Sequence, residues 1–401
     1  MRKIVFVDDE PRILEGLQRM LRPLRHDWEM SFASSGDEAL RILDSRPFDV
    51  VVTDMRMPGM SGAALLAEVR QRHPQVVRII LSGYSDLELI CKSVGPAHQY
   101  LSKPSDAETI KMTVGRACAL RDLLADEALQ LLVSKLQSLP SLPALYTELI
   151  AELQSPDASL RKVSEIISRD LGMTAKILQM VNSAFFGIRR HISSPTEAVS
   201  LLGLDTIVTL AITVQIFSQL DQARLPGFSP DALYSHSQRV ALFAKRIARA
   251  EGAESKVFND AFTAGLLHDV GQLVLVANQP QQYAEVLKIV QTEQLPIDRA
   301  ERVVFGASHS EVGAYLLGLW GLPTPIVEAV AFHHLPGLCM AQGFGPLTAV
   351  HAGNVIAQEL QASEPEHCYA VFDFDYLTNI GLLDRLSAWR AVCAEVNEEL
   401  D

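Results

Sequence analysis

The chain has 401 residues, more than one ordinary core accommodates, so two or three domains are expected. Its 48 acidic residues outnumber 35 basic ones for a net charge of -13, which argues against nucleic acid or anionic lipid as partners, while 48% hydrophobic against 21% charged residues reads as folded throughout. No stretch supplies the roughly 18 uncharged apolar residues of a membrane span, the acids of "MRKIVFVDDE" come too early for a secretory leader, and the five cysteines lack paired spacing, so a cytoplasmic protein with reduced thiols is expected.

From Met1 to about Arg121, β-branched runs alternate with amphipathic segments. "KIVFV", "DVVVTD", "VVRIILS" and "QYLSKP" read as strands buried on both faces, and Ile13, Leu14, Leu17, Met20, Leu21 and Leu24 recur at helical spacing. About five such alternations predict a doubly wound α/β domain over 1–121 with a five-stranded parallel sheet. Asp8 and Asp9 then follow the first strand, Asp54 ends the third, Ser82 the fourth, and Lys103 follows the fifth. In such a sheet these strand ends open onto one crevice, where clustered carboxylates suit a hard cation such as Mg2+. Taken singly, each has a plainer reading as a helix cap or a turn residue.

"VDDE", "VVTDMRMPGMSG", "LSGY" and "YLSKP", in that order, resemble the receiver domain of two-component response regulators. The resemblance implies that Asp54 accepts a phosphoryl group from a sensor histidine kinase. Asp8, Asp9, Asp54 and the Arg56 main-chain carbonyl would hold Mg2+. Ser82 and Lys103 would bond the phosphoryl oxygens, and Tyr100 would be an aromatic switch turning into the space behind Ser82.

Beyond Lys103-Pro104 the apolar positions Ile110, Val114, Ala117, Leu124, Ala128 and Leu131 form a thin seam. That spacing predicts a long helix, of which 122–137 would be a linker able to pair with a second copy; the alternative is the last helix of the first domain followed by an ordinary connection. Pro140 and Pro143 in "SLPSLP" mark a boundary, and from 138 to 401 the pattern is all-α.

Six of the 11 histidines fall between His236 and His351. In "GLLHDVGQLVL", His268 and Asp269 stand together in an apolar run, a costly arrangement unless hydrogen bonds or a metal hold the pair. Neighbours on a helix diverge by about 100°, so further ligands must come from other helices, with His236 and His309 as candidates.

"LPSLPALYTELIAEL", "VSEIISRDLGMTAKILQMVNSAFFG", "AVSLLGLDTIV", "AGLLHDVGQLVL" and "HSEVGAYLLGLWGLP" followed by "AVAFHH" resemble the HDOD family, helical output modules related to HD-type metal phosphohydrolases. His236, His268 and Asp269 match three metal ligands of the active enzymes, but Asn354 stands where a distal Asp is expected. Gln272 replaces the Lys of related cyclic-dinucleotide phosphodiesterases, and "HHLPGLCM" replaces their Gly-Tyr-Pro element. His309, His333 and His334 supply further imidazoles to what reads as a degenerate HD site. Alternatively, His333 and His334 close a helix and His268 is a bonded core residue. The expected protein is a response regulator whose HDOD half acts by contact with a downstream protein rather than by chemistry. The rival is a phosphorylation-controlled metal phosphodiesterase.

Overall fold

The computed structural model describes residues 1–82, 97–103, 105–122, 127–136, 139–141, 143–155, 157–182, 191–208, 218–219, 227–339, 343–361 and 371–400. Pro104 and Leu124, and the side chains of Ser82 and Arg121, lie outside the described residues. The chain forms two compact units, the first built mainly from Met1–Gln137 and the second from Ser138–Leu178, Ile192–Leu317 and Leu322–Asp401.

Strands β1 (Arg2–Val7), β2 (Trp28–Ala33), β3 (Val50–Asp54), β4 (Val77–Ser82) and β5 (Gln99–Ser102) make a sheet of order β2-β1-β3-β4-β5 with every pairing parallel. Ile4, Val5, Phe6, Val50, Val51, Ile79 and Ile80 are fully or almost fully buried, because helices lie over a sheet whose central strands carry apolar side chains on both faces. Those helices are α1 (Pro11–Leu21), α2 (Gly36–Ser45), α3 (Gly62–Arg72) and α4 (Ala107–Asp122). Ser35 and Ser61 cap α2 and α3 by accepting the backbone N–H of Glu38 and Ala64.

The segment after α4 differs from the expected seam. Ile110, Val114 and Ala117 are buried, but in α5 (Glu127–Lys135) Ala128 is exposed and Leu131 half-buried, while Leu129 and Val133 face inward. A buried polar clasp sets this rotation. Arg78 Nη2 donates to the Ser134 carbonyl at 2.6 Å and His98 Nε2 reaches the same oxygen at 2.9 Å. His98 Nδ1 accepts the Arg78 N–H at 3.2 Å, and its Nε2 also lies 2.6 Å from Arg78 Nη2, so the guanidinium and the ring meet at the one carbonyl at the end of α5. Burial, then the adjacent guanidinium, holds His98 well below the usual imidazole pKa and keeps it neutral. The stretch expected as a linker is thus fastened, through α5, to the first unit.

The second unit is helical, apart from a two-residue parallel pairing of Pro140–Ser141 with Ser218–Gln219. In chain order its helices are α6 (Pro143–Leu153), α7 (Leu160–Ile167), α8 (Leu171–Val181), α9 (Pro195–Leu202), α10 (Leu204–Val208), α11 (Pro230–Ala250), α12 (Ser255–Leu267), α13 (Val270–Asn278), α14 (Pro280–Glu293) and α15 (Ile297–Phe305). Then follow α16 (His309–Leu319), α17 (Thr324–Phe332), α18 (Pro346–Gln361), α19 (Phe374–Asn379) and α20 (Leu386–Leu400). The centre is α11, which packs along α12, α18 and α20, with α17 against α12 and α18. Phe243, Ala244, Leu267, Val330 and Ala352 line these contacts in full burial.

Candidate functional sites

Because the strands run parallel, the carboxyl ends of β1, β3 and β5 open at one edge of the sheet. Asp8 follows β1, Asp54 closes β3 and Lys103 follows β5. Lys103 Nζ donates to Asp8 Oδ2 at 2.7 Å and also bonds Asp54 Oδ1. Burial disfavours the ammonium, but the bonds to Asp54 and Asp8 outweigh it and hold the Lys103 pKa above its usual value. Asp54 Oδ2 accepts the Arg56 N–H at 2.6 Å, and Asp8 Oδ1 accepts the Glu10 N–H at 3.0 Å. Asp9 is half-buried next in the chain, and Ser82 pairs in register with Ser102 at the same strand ends. Tyr100 is packed inward on β5, 8% exposed.

Sequence reasoning passed over Gly62. A Cβ built there would lie 1.9 Å from the Asp54 carbonyl oxygen, and its N–H donates to the Met55 carbonyl at 3.0 Å. The start of α3 is thereby pressed against the backbone that carries Asp54, an approach open only to glycine. Asp8, Asp9 and Asp54 offer an all-oxygen set that fits Mg2+, and the single Lys103 ammonium already bridges two of these carboxylates.

In the second unit, His236 comes from α11, His268 and Asp269 from the turn between α12 and α13, His309 from the start of α16, and His333 and His334 from the end of α17. Two groups of ligand atoms, each within 4.8 Å of one another, share Asp269: His236, His268 and Asp269 form one, and Asp269, His309, His333 and His334 the other. His268 Nδ1 donates to the Gly265 carbonyl at 2.7 Å and His333 Nδ1 to the Val330 carbonyl at 2.9 Å. Each ring therefore caps its own helix with one nitrogen and turns the other inward, so His333 closes its helix while its Nε2 faces the cluster.

The inward Nε2 atoms of His268 and His333 are buried without a hydrogen-bond partner. Asp269 Oδ2 lies 3.4 Å from the first, and Asp269 Oδ1 3.8 Å from the second. With both protons committed to Nδ1, these approaches set imidazole lone pairs against a carboxylate with no proton between them. A cation bound between them would relieve that arrangement. Burial, above all, pushes His268 down to about 4 and holds His333 and His334 well below the usual range. Asp269 is held low despite burial by the imidazoles of His268 and His309.

Glu301, on α15, is fully buried and was not anticipated. Its Oε2 accepts from His309 Nδ1 at 2.6 Å and from the His309 N–H at 2.7 Å, and its Oε1 accepts from the Tyr283 hydroxyl at 3.1 Å. His309 Nε2 lies 3.1 Å from Asp269 Oδ1, so although burial opposes its charge, Glu301 and Asp269 raise its pKa well above normal. Gly271 permits this: a Cβ there would stand 1.9 Å from the His309 carbonyl oxygen. Asn354 Oδ1 lies 3.0 Å from His236 Nε2 and brings no charge to the site. Gln272 is buried with its Oε1 3.4 Å from the Tyr283 hydroxyl.

A family model for the response regulator receiver domain matches residues 4–114, and one for the HDOD domain matches residues 139–336. The hydrogenase transcriptional regulatory protein HoxA of Cupriavidus necator is 38% identical over 125 residues, 31% of this chain and 25% of its own length. The response regulator protein PilR of Pseudomonas aeruginosa is 35% identical over 128 residues, 32% of this chain and 28% of its own. An uncharacterised protein of Treponema pallidum is 27% identical over 51% of this chain and 39% of its own length, so the chain spans well under half of each of these relatives. Among solved structures, the MmoQ response regulator of Methylococcus capsulatus aligns with 63% of this chain and 98% of its own, at 26% identity and a TM-score of 0.49. A virulence factor of Campylobacter jejuni aligns with 68% and 97%, at 21% identity and a TM-score of 0.51, a likeness of fold.

Proposed function

Since the chain is a response-regulator receiver domain joined to an HDOD domain, we propose that it takes up a phosphoryl group on Asp54 and answers through binding by its helical half. The observation that carries the first part is the Lys103 ammonium held on both Asp8 and Asp54 at the strand ends. An Asp54 oxygen attacks the phosphorus of a kinase phosphohistidine, the P–N bond breaks, and the imidazole leaves with the electron pair. Lys103 turns from Asp54 to a phosphoryl oxygen and neutralises charge building there. Ser82 would supply a second bond, and Tyr100 would follow it inward. Asp8, Asp9, Asp54 and the Arg56 carbonyl would hold Mg2+, whose contribution is charge neutralisation at the phosphoryl oxygens. Incubation with acetyl phosphate and Mg2+ should add one phosphoryl group by intact mass, and Asp54→Asn should add none. A modified Asp54→Asn protein would remove this reading.

For the helical half, the facing lone pairs of His268, His333 and Asp269 favour a bound divalent transition ion in an imidazole-rich site. Turnover is disfavoured by chemistry: Asn354 brings no charge beside His236, and Gln272 lies against Tyr283 where a lysine would grip phosphate. Metal analysis and a phosphodiester assay with Mn2+ or Fe2+ separate the readings. Stoichiometric metal without turnover supports a binding module; turnover that disappears in His268→Ala establishes the phosphodiesterase instead.

A further inference from the structure

A cleft of about 330 Å³ opens in the helical unit, lined by Ser168, Pro195, Leu242, Lys245, Phe262 and Leu266 among others. Its volume is at the lower end of the range of small-molecule sites, and its lining is mostly apolar. The charges at its rim are largely spoken for: Glu165 pairs with Arg161 at 2.9 Å, and Arg169 with Glu148 at 3.1 Å. Lys245 is different. Its half-buried ammonium lies 5.1 Å over the Phe262 ring and has no carboxylate partner among the described residues. In a chain with a net charge of -13, a cation facing a cleft without an acid beside it is an unfilled demand for an anion. Ser168 adds a second such demand, its hydroxyl oxygen being buried without a hydrogen-bond partner.

We propose that this cleft binds a small organic anion, its head group paired with Lys245 and its apolar body against Pro195, Leu242 and Leu266. Leu266 lies in α12 two residues before His268, and Leu242 lies on α11 with His236. An occupant would therefore touch α11, which carries His236, and α12, which His268 follows.

The test uses the full chain and two fluorescent probes of nearly the same body, 1-anilinonaphthalene-8-sulfonate and uncharged N-phenyl-1-naphthylamine. The sulfonate should bind saturably and roughly tenfold or more tighter than the neutral probe, the size of one charge-assisted contact. Lys245→Gln should erase that preference and Lys245→Arg should keep it. Equal affinity of the two probes for the wild-type protein overturns the proposal whether or not the variants fold, as does a preference unchanged in folded Lys245→Gln.

Discussion

Replacing Gly62 by Ala tests whether the backbone under Asp54 is as tightly held as it looks. The added Cβ would start 1.9 Å from the Asp54 carbonyl oxygen and 2.9 Å from its carbon, with Met55 Cα at 3.1 Å. All three neighbours are main chain, so no side chain can swing aside, and α3 or the Asp54 peptide must recede by about 1 Å. Overpacking of this kind costs roughly 1–3 kcal/mol in stability. A misplacement of about 1 Å at a reacting group can lower its rate on the order of 10²-fold. Thermal melts and the rate of phosphorylation by acetyl phosphate, followed by intact mass, measure the two effects separately. Gly16, in α1 with nothing within 4 Å of a built Cβ, is the matched control, and Gly16→Ala should stabilise by roughly 0.5–1 kcal/mol. A Gly62→Ala protein that melts and phosphorylates like wild type would refute the reasoning.

Lys103→Met should abolish phosphoryl uptake while binding Mg2+ at least as tightly, since the ammonium now occupying Asp8 and Asp54 is removed; calorimetric titration showing weaker Mg2+ binding contradicts this. Glu301→Gln removes the anion that orients His309 and should lower metal affinity by roughly 10–100-fold, read as metal content after dialysis against a chelator. His98 has a folded pKa below its unfolded value near 6.5, so its contribution to stability is complete above that pH and declines as pH falls below it. The melting point of His98→Asn should accordingly fall less than that of wild type between about pH 7.5 and about pH 5.5; parallel losses would show that His98 carries none of the acid sensitivity.

The receiver crevice is legible from sequence because its residues end β-branched runs, and parallel strands carry such ends to one edge whatever the loops do. Asp8, Asp54 and Lys103 meet for that reason. The histidine cluster is legible as a set, but its wiring is not. Glu301 lies in "IDRAERVVF", where an acid between arginines looks like part of a solvated face, and only the packing of α15 against the start of α16 hides it. Nothing in the local pattern of Arg78 foretells its burial either; besides the nearby Pro74 and Val76 carbonyls, its guanidinium finds an acceptor in Ser134, 56 residues on. That distant bond accompanies an orientation of α5 in which Leu129 and Val133 face inward, while Ala128 is exposed and Leu131 half-buried, a choice helical spacing alone does not make.

Asp269 has a single pair of oxygens and two sets of neighbours that draw on them. His309 and His333 approach Oδ1, and His268 approaches Oδ2. Charge drawn toward one set is charge withheld from the other, so a substitution in either half of the cluster is felt by both through Asp269.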